Sequence, residues 1–330
     1  MHRPLRYVPQ EAKTWTDSYG RKVAVVEVTI RAYQSRYLFR PSPEVRDVIV
    51  GVMAHVQKRV KFDVYGYAFL SNHGSYLIGV TDAKHQGDIM RDVHSKISTE
   101  LKRKELSDWT GGVLGQRGRP ILVAGEDDLV ARLKYCLANS TKEHLVTRPD
   151  RWGGAHAAKA LMGCGNGVHG RFLEDQGVYV DRTLLDALKH KPIPKAQALK
   201  MCSKPVTLRL SKLPCWAEMS DEAYRQEMVA LCRNISDEAA RVRRNENRSV
   251  LGMARVLRYH AHHRPEKTAN SPAPMLHCCC PTFRAFFKEA YRAFSDAYRQ
   301  AMSALHKKLG PVFFPDGGIP PGYTYLVDRR

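Results

Sequence analysis

No run of apolar residues in this chain reaches the ~18 needed to span a bilayer, and its opening, MHRPLRYVPQEAKTW, lacks the apolar core of a secretion signal. The expectation is a cytoplasmic protein with no membrane partner. Cysteine is sparse, 8 in 330 residues, scattered at Cys136, Cys164, Cys202, Cys215 and Cys232 with a run at Cys278, Cys279 and Cys280. That is too thin for a disulfide scaffold, so the thiols read as reduced. No C-x-x-C pair occurs, and a structural zinc site has only His277 beside the triple cysteine to argue for it. Fixed-period repeats and long low-complexity tracts are missing too, which sets aside solenoids and disordered tails. Acid is the remaining shortage: 33 Asp and Glu face 53 Lys and Arg, a formal charge of +20. With 43% hydrophobic residues the chain can fill a core, and its surface must then carry the positive excess. The partner this favours is a polyanion, nucleic acid first.

From Val23 the run VAVVEVTIRAYQSRYLF alternates as a long strand does, and RPSPEVRDVIVGVMAHVQKRV has helical apolar spacing behind a proline. KFDVYGYAFL and SYLIGVTD are two β-rich runs separated by Ser71, Asn72, His73 and Gly74, a hairpin or neighbouring strands. HQGDIMRDVHSKISTELKRKEL carries Ile89, Val93, Ile97 and Leu101 on one helical face. After glycine-rich TGGVLGQRGRP, a short strand ILVAG leads to EDDLVARLKYCLANSTKEHLV, acidic at its start and basic later, as a helix dipole favours. The order β-α-β-β-α-β-α is compatible with an α+β, ferredoxin-like antiparallel sheet with helices, as a first domain over residues 20–155.

Residues 160–330 read as a second, mainly helical region. Ser220 or Asp221 can cap the helix SDEAYRQEMVALCRNISDEAARVRRN. PTFRAFFKEAYRAFSDAYRQAMSALHKKL is amphipathic, with an aromatic stripe at packing spacing. Arg243, Arg244, His260, His262 and His263 suggest no role beyond a solvated surface.

Two places can carry chemistry. On a strand, His73 and position 75 share a face; a His-x-His pair there could hold one divalent ion, but position 75 is Ser, a poor replacement for an imidazole. On the last helix of the first domain, Tyr135 and Asn139 lie one turn apart. A tyrosine becomes a phosphoryl-transfer nucleophile when cations neutralise the attacked phosphate, and Lys134 and Lys142 are near in sequence. Taken singly, both residues also fit ordinary structural roles. Lys96, Lys102, Arg103, Lys104, Arg117 and Arg119, on or beside the second helix and the glycine-rich connection, could track a phosphate backbone.

Taken together and in order, the strand leading to Ser71-Asn72-His73, the Gln116-Arg117 region and the Y-x-x-x-N of Tyr135 and Asn139 resemble the REP-associated tyrosine transposases, single-tyrosine members of the HUH superfamily. KEHLVTRPDRW looks like the end of that family's transposase domain, and VLGMARVLRYHAHHRP and FPDGG are similar to segments of larger members. The resemblance implies attack by Tyr135 on single-stranded or hairpin DNA, leaving a 5′-phosphotyrosine and a free 3′-hydroxyl. It further implies a Mg²⁺ or Mn²⁺ ion held by His73, Asn139 and position 75, with a homodimer possible. Ser75 departs from the family pattern and should weaken the ion site. The alternatives are a catalytically inactive DNA-hairpin binder descended from such an enzyme, and a basic RNA- or ribosome-associated protein.

Overall fold

The computed structural model describes residues 7–104, 111–115, 118–163, 171–265, 274–307 and 311–318. Its scaffold strand is β2 (Lys22–Arg31), on which the short β1 (Trp15–Thr16) folds back. Valines at 23, 25, 26 and 28 suit a central strand covered on both faces. Helix α1 (Pro43–Val60) opens with Pro43, whose missing N–H is harmless in a first turn, while the Ser42 hydroxyl accepts the Val45 N–H at 3.3 Å. Strands β3 (Val64–Phe69) and β4 (His73–Val80) follow, then α2 (Ala83–Arg103), capped by the Asp82 carboxylate, and β5 (Arg119–Val123). Helix α3 (Glu126–Lys142) begins with Glu126, Asp127 and Asp128 against the positive end of its dipole.

Sheet order is β3-β4-β2-β5 with every neighbouring pair antiparallel. This is the expected α+β, ferredoxin-like layer. Helices α1 and α2 cover one face, where the Tyr76 hydroxyl meets His94 Nε2 at 2.9 Å. Helix α3 covers the other: a Cβ on Gly66 of β3 would come within 2.5 Å of the Leu133 side chain. Two details differ from the sequence reading. His73 and Gly74 lie within β4, not in the connection, because Arg31 and Ile30 of β2 pair with them. Strand β5 starts at Arg119, two residues earlier than its apolar run, because Thr29 pairs with that residue.

The second half supplies α4 (Ala158–Met162), β6 (Glu174–Val180), α5 (Arg182–Leu188), α6 (Lys195–Cys202) and β7 (Ser203–Arg209). Then come α7 (Asp221–Asn245), α8 (Met253–Arg258), β8 (Leu276–His277) and α9 (Pro281–His306). The Ser220 hydroxyl caps α7 by accepting from Ala223 N–H at 3.1 Å, as its sequence suggests. Strands β6 and β7 form an antiparallel pair lying on α1 so closely that a Cβ on Gly51 would fall 2.2 Å from the Val178 carbonyl oxygen. Arg46 and the Tyr67 hydroxyl both bind the buried Asp175 carboxylate there. One apolar cluster runs from Val25 and Val28 through Leu133 and Leu137 to Leu208, Tyr224, Met228 and Leu231. The sheet edges are covered: Phe69 N–H and the Tyr67 carbonyl bond to Ala155 and Ala157, and β8 pairs in parallel with β5. Among the described residues no helix is long and apolar enough to cross a membrane, and Cys136, Cys202, Cys215, Cys232, Cys278, Cys279 and Cys280 are free thiols.

Candidate nucleic-acid interface around Tyr135

Directly opposed residues of an antiparallel pair share a face. Ser75 faces α3, since its hydroxyl donates to Cys136 Sγ at 3.3 Å. Thr29 and Arg119, opposite and next along that row, therefore face α3 as well, as do Arg31 and His73 two residues on and Glu27, Leu77 and Ile121 two residues back. The helix runs antiparallel to β4, with Leu133 at the level of Gly66 and Leu77 and Cys136 at that of Ser75. Two strand residues span about 6.6 Å and four helical residues about 6 Å. Asn139 is thus level with His73, and Tyr135 with Ser75 on the outer side of α3.

Tyr135 is 40% exposed. Its ring is bracketed by two cations: Arg132 Cζ lies 4.2 Å and Lys142 Nζ 4.8 Å from the centroid. Arg132 is held from behind. Its Nη1 is 3.6 Å from Glu27 Oε2 and 3.3 Å from His277 Nε2, and the same carboxylate oxygen is 3.2 Å from that imidazole. Glu27 is 2% exposed, and its Oε1 is buried without a hydrogen-bond partner. A carboxylate buried in the middle of β2 thus anchors the arginine that lies against the tyrosine.

His73 is half-buried, and its Nδ1 lies 2.8 Å from Asn72 Oδ1. Burial, aided by the charge of Arg31, lowers its pKa to about 4, so the ring is neutral near pH 7. Cys136 is wholly buried, and burial pushes its thiol up to about 12, a neutral packing group. Asn139 is buried at 6% exposure.

The remaining residues from the sequence reading divide. Lys142 and Arg119 belong to the α3 side. Lys134 points away, donating to Glu238 Oε1 of α7 at 2.6 Å. Lys96, Lys102, Arg103 and Lys104 sit on or at the end of α2, across the sheet from Tyr135; Arg103 is paired with Glu100 at 2.6 Å, and burial lowers the pKa of Lys96 and Lys104. Arg117 and Gln116 lie outside the described residues. Arg132 and Glu27 escaped the sequence reading, and His277 entered it only as a weak zinc candidate beside the triple cysteine. Glu27, a lone acid inside VAVVEVTI, and Arg132, one turn before Tyr135, were visible signals; the place of His277 beside them was not, because it arrives on a strand far along the chain.

The donor set does not fit the divalent ion that the resemblance implies. His73 offers one imidazole, and the Ser75 hydroxyl is 3% exposed and turned into a sulfur. Among the described residues no three His, Cys, Asp or Glu side chains converge on one point.

No protein-family model matches the chain, and no curated protein matches it. A solved structure of a REP-associated tyrosine transposase bound to a REP hairpin aligns with 39% of this chain and 73% of its own, at 12% identity and a TM-score of 0.32. A likeness at that level carries no argument; the fold rests on the strand order itself.

Proposed function

We propose that the protein binds single-stranded or hairpin DNA along the open side of α3, as a relative of the tyrosine transposases that has given up the paired-histidine ion site. The observation that carries this reading is an exposed tyrosine bracketed by Arg132 and Lys142, in a chain of net charge +20. The two cations meet phosphates, and the exposed part of the Tyr135 ring can contact a base beside them. Arg119 extends the positive side along the sheet.

A second reading, DNA nicking, is favoured by the exposure of Tyr135 itself. In that reaction the tyrosine oxygen bonds to phosphorus, the bond to the 3′-oxygen breaks, and the 3′-hydroxyl takes up a proton. Arg132 and Lys142 would neutralise the attacked phosphate.

Hairpin-bearing oligonucleotides test both. Binding is expected to weaken steeply with salt, with a slope of about −0.7 per neutralised phosphate on single strands, and the Tyr135→Ala/Lys142→Ala variant is expected to lose at least tenfold in affinity. Salt-independent binding, or no loss in that variant, refutes the reading. A covalent adduct formed with Mn²⁺ and absent in Tyr135→Phe would promote nicking over binding.

A further inference from the structure

Helix α7 ends in Arg-Val-Arg-Arg-Asn, and its end borders a shallow hollow open to solvent. Asn247 takes a left-handed conformation (φ 50°), and Arg248 N–H returns to the Arg243 carbonyl at 2.9 Å, folding residues 247–250 back over the last turn. The resulting open cavity, of about 410 Å³, is lined by Arg243, Arg244, Asn247, Arg248 and Ser249.

Charge in this hollow is unbalanced. Glu246 is the acid beside it, 3.3 Å from Arg248 Nε and shared with His144 at 3.7 Å. Arg243 and Arg244 have no carboxylate partner among the described residues, and Arg243 Nη1 is buried with no hydrogen-bond partner. A helix C-terminus favours a cation or two; here three guanidinium groups line one open depression, with Arg244 and Arg248 exposed and Arg243 half-buried, and the buried Arg243 Nη1 is left a donor that an anion would satisfy. Planar guanidinium groups match the paired oxygens of a phosphate.

The position adds a source. Lys134 of α3 binds Glu238 of α7, and Leu251 and Gly252 N–H donate to His144 and Leu145 at 2.9 and 3.0 Å, just beyond the end of α3. The hollow thus lies beside the end of α3 that carries Lys142. We propose that it is a phosphate-binding site and that, resting on the DNA-binding reading above, its phosphate belongs to the backbone of the strand that passes Tyr135.

The test compares wild type with Arg243→Gln/Arg244→Gln, and with Arg248→Gln as a second variant should the first melt early. Inorganic pyrophosphate is the small probe, read by thermal shift and calorimetry; hairpins with single-stranded tails of increasing length are the large one. Expected are a pyrophosphate response lost in the variants, and a loss of about tenfold in affinity on long tails but not on short ones, with the salt slope shallower by about 0.7. A wild type that ignores pyrophosphate, and variants that bind every tail as wild type does, overturn the site while leaving DNA binding at Tyr135 intact. Pyrophosphate bound through these arginines in a protein that binds no DNA would reject the backbone source and the DNA reading together, and keep a small-anion site.

Discussion

Restoring the missing imidazole with Ser75→His is the direct way to ask what the loss of the histidine pair did, and the fold says that the substitution fails alone. Ser75 is 3% exposed, and its hydroxyl already touches Cys136 Sγ at 3.3 Å. Histidine adds about four heavy atoms where α3 is in contact, and overpacking of that kind costs about 1–3 kcal/mol. At roughly 2–4 °C per kcal/mol for domains of this order, the single variant is expected to melt about 2–12 °C below wild type. Cys136→Ala removes the sulfur that the ring would meet. The two losses are therefore expected to be non-additive, the double variant losing less than the sum of the two single variants by a coupling of about 0.5–3 kcal/mol. Melting of all four proteins, with a Mn²⁺ titration of each, is the assay. The double variant is expected to gain Mn²⁺ affinity, since its ring can turn toward the face it shares with His73. Additive losses would show that positions 75 and 136 do not contend for space, and the packing argument would fail.

Other perturbations follow from the same contacts. His73 and the buried His156 have folded-state pKa values lowered to about 4, the latter by burial while its Nε2 donates to the Leu137 carbonyl. Since the unfolded chain takes up protons first, stability is expected to be present above pH ~6.5 and to fall between ~6.5 and ~4, by an amount on the order of 3 kcal/mol per group; His156→Gln should flatten a denaturant titration over that interval, and an unchanged slope would count against it. Gly51→Ala places a methyl against the backbone of β6 and is expected to cost at least ~3 kcal/mol in urea unfolding; a wild-type midpoint would mean that β6 does not cross α1 there. Glu27→Gln removes the buried charge that holds Arg132 against Tyr135, so hairpin affinity should fall a few-fold in filter binding. A rise would mean that the carboxylate competes with phosphate for Arg132 more than it positions it.

Much of the layer was legible because the chain punctuates it locally. A proline starts the first helix, the acids Glu126, Asp127 and Asp128 the third, and the β-branched runs around Val25 and Ile78 mark the central strands. The faces were legible as well: His73 and Ser75 do look the same way, toward the helix of Tyr135. What could not be read is which cations reach the tyrosine. Lys134, adjacent in sequence, is drawn off by Glu238 of α7, whereas Arg132 is turned toward Tyr135 by Glu27 and His277. Nor could the basic residues of α2 be assigned a side, because helical periodicity says which face is apolar and not which face of the sheet that stripe covers.

His277 reaches Glu27 from β8, a two-residue strand that pairs with β5 through Leu276 and His277. Long loops close late, because their entropy must be lost before the contact repays it. Removing β8 is therefore expected to leave β5 with a bare edge and Arg132 with one restraint fewer. Amide exchange would register this as slow protection in β2 and β4 alongside fast exchange at Ala124, whose N–H bonds to the His277 carbonyl.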